Sequence, residues 1–382
     1  MRIGLLGAGR IGAFHAGTLA AHPDVTELVI ADADPARARD VAAARGATAL
    51  PVDRLFASRP DAVVVASATA AHAGLIIRAA QAGIPAFCEK PVAVDLARTV
   101  AALDTVAKTG TLLQIGFQRR FDAGYAAARE ALRAGRVGRL HTVRTVSSDP
   151  APPPPAYVPL SGGLYRDCLI HDFDILRWVT GLEVTEVYAI GSNEGDDFFR
   201  AAGDADTAAA LLTLEGGVLA TATATRYHAA GYDVRMELAG TADQLAVGVG
   251  PRAPLTSVEP VAGEEEAAAR GDGPGPGPDA ARDAGAAAAT GHGARPGTGV
   301  GASPRWPGFL ERFAPAYRAE LDTFLRVVRG ELPNPCEGRE ALRALLVAEA
   351  CELSRRERRP VAVAEVEAAA HACAAELNGV VV

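Results

Sequence analysis

Lysine is almost absent from this chain of 382 residues: of its 38 basic residues, only Lys90 and Lys108 are lysines. A composition biased toward Arg, Ala and Gly accounts for the scarcity. It also makes each remaining lysine a candidate for a role that arginine cannot fill. Acidic residues number 46, so the net charge is −8. Binding to nucleic acid through phosphates needs the opposite balance. Cysteine is sparse as well. Cys88, Cys168, Cys336, Cys351 and Cys373 are widely spaced and form no CxxC pair. That speaks against a zinc knuckle and a disulfide framework, and suits reduced thiols in the cytoplasm. No uncharged run is long enough to cross a bilayer. The opening MRIGLLGAGRIGAFHAGTLA has the outline of a signal peptide, but its glycines, Arg10 and His15 break any apolar core. It reads as folded structure.

What is present is length for two domains rather than one, 382 residues, and enough apolar residue, 49 %, for a sizeable core. In the first third, short apolar runs alternate with helical patterns. Strands are expected at 2–6, 27–31, 61–66, 85–89 and 111–116, with helices at 11–21 and 34–45 and one ending near Ala80. Strand and helix alternating at this spacing predict βαβ units and a parallel sheet. After Phe117 the texture changes. Runs at 140–147, 184–190, 208–214, 218–226 and 232–239 predict a mostly antiparallel sheet. DPAPPPP at 149–155 reads as polyproline II. From about 263 to 304 the chain is Gly, Pro, Ala and Glu, and reads as a disordered insertion. Helical spacing returns with Tyr317, Leu321, Phe324, Leu325 and Val328, and the basic run 355–359 suits a helix C-terminus. No internal repeat is evident.

Gly7-Ala8-Gly9-Arg10-Ile11-Gly12 is GxGxxG, weak alone among 40 glycines. Here it follows a predicted strand and opens a predicted helix, the context that makes it a dinucleotide fingerprint. Gly7 permits the turn, Gly9 admits the pyrophosphate and Gly12 lets helix and strand pack. Asp32 closes the second strand twenty residues after Gly12. A carboxylate there accepts from ribose hydroxyls and repels a 2′-phosphate, favouring NAD over NADP. The alternative, that Asp32 caps the next helix, is weakened by Asp34, which precedes Pro35 and suits the cap better.

Two further places carry chemistry. Lys90, in Cys88-Glu89-Lys90-Pro91, follows a strand at the mouth of the expected crevice. Donation to a substrate oxygen and a stem packed on the rim are readings of comparable weight. Lys108 reads as a solvated charge at a helix end. The second place is Gly162-Gly163-Leu164-Tyr165-Arg166-Asp167-Cys168-Leu169-Ile170-His171-Asp172-Phe173-Asp174. On one continuous helix, Asp167, His171, Asp174 and Trp178 share a face, with Asp172 pointing elsewhere. Asp167 as a cap beside a core histidine, a metal site, and an acid/base pair all compete. No third or fourth metal ligand is apparent by spacing, so no metal is expected. With a nicotinamide site and Lys90 elsewhere, the acid/base pair is the best reading, with Asp174 steering His171 and Asp172 structural.

These stretches, with VVVASATAAHA (63–73), GFQRRFD (116–122), DPAPPPPAY (149–157) and FLERFAPAYRAELDTF (309–324), identify a resemblance. Outside the Gly/Pro insertion the chain resembles the Gfo/Idh/MocA oxidoreductases, and within them the inositol 2-dehydrogenase branch. Two departures stand out: Ala68 where the family often has proline, and DPAPPPP in place of a histidine-containing stretch of some inositol dehydrogenases. The resemblance implies an α/β protein: an N-terminal Rossmann domain with a doubly wound parallel sheet (1–118), then an α/β domain with a large open sheet (119–382). It implies Lys90, Asp167 and His171 as the catalytic trio. Gly7, Gly9, Arg10, Ile11, Gly12, Asp32, Ser67, Thr69, His72, Glu89 and Lys90 would bind NAD. Arg119 and Tyr232 would join the trio around a polyol. Activity is then expected as NAD-dependent oxidation of a cyclitol hydroxyl, in a cytoplasmic homotetramer or homodimer joined through the second sheet. The alternatives are the same chemistry on another sugar, aminocyclitol or keto-sugar, and a non-catalytic NAD-sensing regulator, which would not need the trio.

Overall fold

The computed structural model describes residues 1–257 and 304–370. The expected disordered insertion lies outside the described residues except for Pro304, and so does Cys373.

Six parallel strands form the first sheet: β1 (Arg2–Leu6), β2 (Glu27–Ala31), β3 (Thr48–Ala49), β4 (Ala62–Val65), β5 (Ala86–Glu89) and β6 (Leu113–Gly116). Their order is β3-β2-β1-β4-β5-β6, the doubly wound arrangement. Ala62, Val63, Val64 and Val65 are all buried, because helices cover both faces. That is why these strands read as unbroken apolar runs rather than alternating ones. The two-residue β3 and the short helix Val52–Ala57 carry too few residues to show a period and were not anticipated. The order reverses between β1 and β4, which opens a crevice at the strand C-termini.

Seven strands form the second sheet: β7 (Leu140–Ser148), β8 (Val184–Ser192), β9 (Thr207–Leu214), β10 (Leu219–Thr225), β11 (Asp233–Gly240), β12 (Gln244–Val247) and β13 (Val361–Ala362), in the order β12-β11-β7-β10-β9-β8-β13. The sheet is mixed. All its pairings are antiparallel except β7 with β10, which run parallel with Ser148 opposite Thr225. That exception brings two strand C-termini side by side. The inner face packs on the helix Ile170–Thr180 through Val143, Ala210, Leu212 and Ala222. The outer face shows Tyr188, Ile190, Leu211 and Leu219 to solvent.

Two late helices join the sheets. Phe309–Val328 gives Phe313, Ala316 and Tyr317 to the core under the second sheet, and Leu321, Phe324 and Leu325 to one face of the first. Gly338–Glu357 divides in the same way, with Ala341, Ala344 and Leu345 toward the first sheet and Leu346, Val347 and Cys351 toward the second. The basic run anticipated at a helix C-terminus does end this helix, and Lys108 sits in the last turn of Leu96–Thr109.

Glycine is required at Gly12, where an added Cβ would lie 2.0 Å from the Gly7 carbonyl oxygen. At the exposed helical Gly74 a Cβ would meet nothing within 4 Å. Gly12→Ala should therefore cost about 1–3 kcal/mol and weaken NAD binding, whereas Gly74→Ala should be neutral or stabilise by up to about 1 kcal/mol. Denaturant midpoints and NAD titration of both variants check this.

Candidate active site

The glycine loop fits a dinucleotide. Gly7 sits at φ +108°, and a Cβ there would come within 2.5 Å of the Ala66–Ser67 backbone. At Gly9 a Cβ would point into open space, so backbone faces the crevice directly. The helix Arg10–Ala20 starts there with no side-chain cap, leaving its first N–H groups for an anion. Asp32 accepts from the Ala8 N–H through Oδ2 (2.7 Å) and from the Asp34 N–H through Oδ1 (2.8 Å). It thus braces the loop, with Arg37 Nη1 3.4 Å away. Asp34 caps Pro35–Arg45 by accepting from the N–H groups of Ala36 and Arg37, which separates the two carboxylates' roles as expected. Arg10 lies over the ring of Phe309, and Ile11 packs against the core.

The next wall is built from two loops. Thr69 opens the helix Thr69–Gln81 just after Ser67. His72 is buried, with Nδ1 2.8 Å from the Pro91 carbonyl and Nε2 3.0 Å from that of Ser67. It ties the 67–69 turn to the loop carrying Lys90, and burial lowers its pKa. Glu89 turns toward the glycine-loop helix, 2.6 Å from His15 Nε2. The side chains of His72 and Glu89 thus bond within the protein and shape the crevice from behind.

Lys90 leaves the end of β5 and meets the Gly162–Asp174 stretch. Its Nζ donates to the Asp167 carbonyl (2.7 Å) and to Asp167 Oδ1 (3.2 Å). Two of the three ammonium protons are used, which leaves one for another acceptor. Asp167 is held from other sides too. Tyr157 Oη donates to Oδ1 (3.0 Å), and Arg226 Nη2 donates to Oδ2 (2.6 Å). Burial alone would raise its pKa, but Lys90 and Arg226 outweigh burial and hold the carboxyl well below the usual range. His171 is half-buried, its ring edge-on to Phe117. Its Nδ1 is buried without a hydrogen-bond partner, while Nε2 is not closed off. Burial, then Lys90 and Arg119, push its pKa well below the ordinary value, against the pull of Asp167. The imidazole is therefore neutral at physiological pH, with a lone pair to offer.

The expectation of one continuous α-helix is corrected. Tyr165–Leu169 is a π-helical turn, and the α-helix begins at Ile170. A wheel drawn at α-helical spacing therefore misplaces partners across that junction. The expectation that Asp174 steers His171 is overturned: Asp174 is fully buried and takes Arg120 Nε (2.9 Å) and Nη2 (2.5 Å). Asp172 is structural, as anticipated. It accepts from Arg119 Nη1 (2.9 Å) and Ser147 Oγ (2.6 Å). Arg119 is itself buried and also donates to Ser147 through Nη2 (2.8 Å), so two of its donors are used inside the protein while its Nε has no hydrogen-bond partner. Tyr232 is buried, its ring edge-on to Phe313.

Sequence reasoning missed Arg226, Asp149 and Tyr157. Asp149 and Tyr157 lay inside a quoted motif but drew no role. Arg226 is the last residue of an anticipated strand, and nothing in its neighbourhood distinguishes it.

Two family models cover most of the chain: "Oxidoreductase family, NAD-binding Rossmann fold" over residues 1–117 and "GFO/IDH/MocA C-terminal domain" over 125–246. A myo-inositol dehydrogenase of Streptomyces leeuwenhoekii is 36 % identical, with 91 % of this chain and 96 % of that protein covered. The crystal structure of a myo-inositol dehydrogenase from Corynebacterium glutamicum superposes with a TM-score of 0.77 at 34 % identity, covering 95 % of this chain and 98 % of that one. That of scyllo-inositol dehydrogenase from Lactobacillus casei, with bound NAD(H) and scyllo-inositol, gives a TM-score of 0.76 at 28 % identity, covering 95 % and 99 %.

Removing one member of the buried Arg120–Asp174 pair strands a charge. Arg120→Met should cost about 3–5 kcal/mol, whereas Arg133→Ala, which breaks an exposed pair with Glu130, should cost under about 1 kcal/mol. Urea denaturation of the two variants separates them.

Proposed function

The chain belongs to the Gfo/Idh/MocA oxidoreductases and is an NAD-dependent enzyme, and from that premise we propose that it oxidises a secondary hydroxyl of a cyclitol, myo-inositol to 2-keto-myo-inositol. The observation that carries this is the meeting of Lys90, Asp167 and a neutral His171 beside the crevice at the end of β5. The relatives named above as inositol dehydrogenases support the substrate class.

NAD, when bound over Gly7, Gly9, Gly12 and Asp32, supplies the hydride acceptor. The protein's own residues do the rest. His171 Nε2 takes the hydroxyl proton as general base. Lys90 donates its remaining proton to the same oxygen and stabilises the charge that develops there. Asp167 stays ionised, fixes the direction of the ammonium and presents an oxygen edge to a neighbouring hydroxyl. Tyr232 and Arg119 bound the far side. A second reading keeps these steps on an aldose, aminocyclitol or keto-sugar: DPAPPPPAY, which sets Tyr157 on Asp167, stands where some inositol dehydrogenases carry a histidine-containing stretch.

The division into 1–118 and 119–382 is part of this reading, with helices of the second part packing back onto the first sheet. Self-association through the second sheet is supported by Tyr188, Ile190, Leu211 and Leu219 on its outer face. Cytoplasmic residence is supported by four free cysteines among the described residues. No described helix is long and apolar enough to cross a membrane.

With saturating NAD and a panel of polyols, His171→Ala and Lys90→Ala should each lower kcat at least a hundredfold, roughly what a positioned acid/base group supplies. Near-wild-type turnover in both would refute the assignment. The acid limb of kcat/KM should lie below about pH 6.5, because His171 must be neutral and its environment disfavours the proton. A limb at or above 6.5 would contradict the role given to His171.

A further inference from the structure

We propose that Arg226 is a positioning residue for the reaction: bridging Asp149 and Asp167, it sets the orientation of Asp167, and through Asp167 the aim of Lys90.

This rests on reading Lys90, Asp167 and His171 as the reaction's residues. β7 and β10 run parallel, so their C-terminal ends lie together, with Ser148 opposite Thr225. The next residue of each strand is Asp149 and Arg226, and the Asp149 N–H donates to the Thr225 carbonyl (2.9 Å). Antiparallel strands would have sent these residues to opposite ends of the sheet. The Arg226 N–H is fixed in turn on the Asp206 carbonyl (2.8 Å). Backbone hydrogen bonds therefore hold this arginine before its side chain does anything.

The guanidinium then spans two carboxylates. Nη1 donates to Asp149 Oδ2 (2.9 Å) and Nη2 to Asp167 Oδ2 (2.6 Å). Arg226 is buried, so neither contact is a solvated surface pair. The result is an alternating chain of charges: Asp149, Arg226, Asp167, Lys90. Asp149 balances Arg226, which leaves Asp167 free to pair with Lys90. The two oxygens of Asp167 are divided between these cations. Oδ2 belongs to Arg226, and Oδ1 receives Lys90 and Tyr157. That division fixes the carboxylate plane and keeps Oδ1 toward the ammonium. Without Arg226, Oδ2 loses its partner, and beside Lys90 only the half-exposed Tyr157 still holds the carboxylate. The groups acting on Asp167 are Lys90, Arg226 and Tyr157, with Cys168 next to it in the chain and His171 one turn on. Of these, Lys90 and Arg226 are the cations whose charge opposes its protonation.

The test compares Arg226→Met and Arg226→Lys with the wild-type enzyme across pH 5–9, using whichever polyol the wild type oxidises. Arg226→Met should lower kcat/KM about ten- to a hundredfold at pH 8, with NAD affinity unchanged within about twofold. Its acid limb, which His171 sets, should move up by about half a pH unit or more, because the Asp167 charge is no longer shared with Arg226 and acts more fully on the imidazole. Arg226→Lys, which keeps the charge but not the two-carboxylate fork, should recover the position of the limb while leaving kcat reduced. A purely structural arginine would lower thermal stability and activity in parallel without moving the limb, and that outcome overturns the proposal. So does full activity in Arg226→Met. If Arg226→Met does not fold, a limb in Arg226→Lys that returns to the wild-type position with reduced kcat supports the proposal, and an unchanged kcat overturns it. If no polyol is oxidised by the wild type, the substrate reading fails on its own. NMR titration of the His171 imidazole then decides for Arg226: a pKa raised in Arg226→Met supports the positioning role, and an unmoved one overturns it.

Discussion

The contact between Lys90 and Asp167 is the interaction on which the rest of the site depends. It joins the end of a strand in one sheet to a turn packed under the other, across 77 residues of sequence. Neither group is comfortable alone. A half-buried ammonium and a half-buried carboxylate each forfeit hydration, and pairing offsets part of that loss. The pairing is also incomplete, because an ammonium has three protons and this one spends two. The charges are matched, and one donor is left over.

Holding that contact in register is work for the whole fold. The helices Phe309–Val328 and Gly338–Glu357 each enter the core of both sheets, so the crevice walls share side chains rather than merely touching. Buried ion pairs then fix direction. Arg120 and Asp174 lock the helix that carries His171 to the loop after β6, and Arg119 and Asp172 tie the same helix to β7 through Ser147. Such pairs contribute little net stability, yet breaking one strands a charge, so they penalise any shift of the helix.

Much of this was legible in the sequence where the signal is local. β1 and β2 fall at the expected residues because an apolar run bounded by turns needs no partner to be recognised. The same holds for the glycine loop and for Asp34 as a cap, where spacing and chemistry sit within a few residues of each other. The failures lie where structure is set by distant partners or by a backbone irregularity with no residue to mark it. Asp174 was given to His171 because the two are near on a wheel, but its partner Arg120 is 54 residues away. A short π-helical turn also altered the wheel, and no residue in Tyr165–Leu169 announces it. Arg226 was invisible because its meaning comes from the parallel register of β7 and β10, and a run of alternating residues does not reveal which strand lies beside it.

The scarcity of lysine now has a sharper meaning. In a chain that uses arginine almost everywhere, Lys90 occupies a position where the fork of arginine would be the wrong shape. A guanidinium facing Asp167 would take both oxygens in the bidentate geometry that suits a carboxylate, competing with Arg226 for Oδ2 and aiming its remaining donors sideways. An ammonium takes one oxygen and one carbonyl, and its third proton points away from both. The two cations on Asp167 are therefore complementary. The arginine fixes the carboxylate through Oδ2, and the lysine, held at Oδ1, would reach the substrate oxygen in the proposed reaction. Exchanging the two residue types would keep the net charge of the site and lose its directionality.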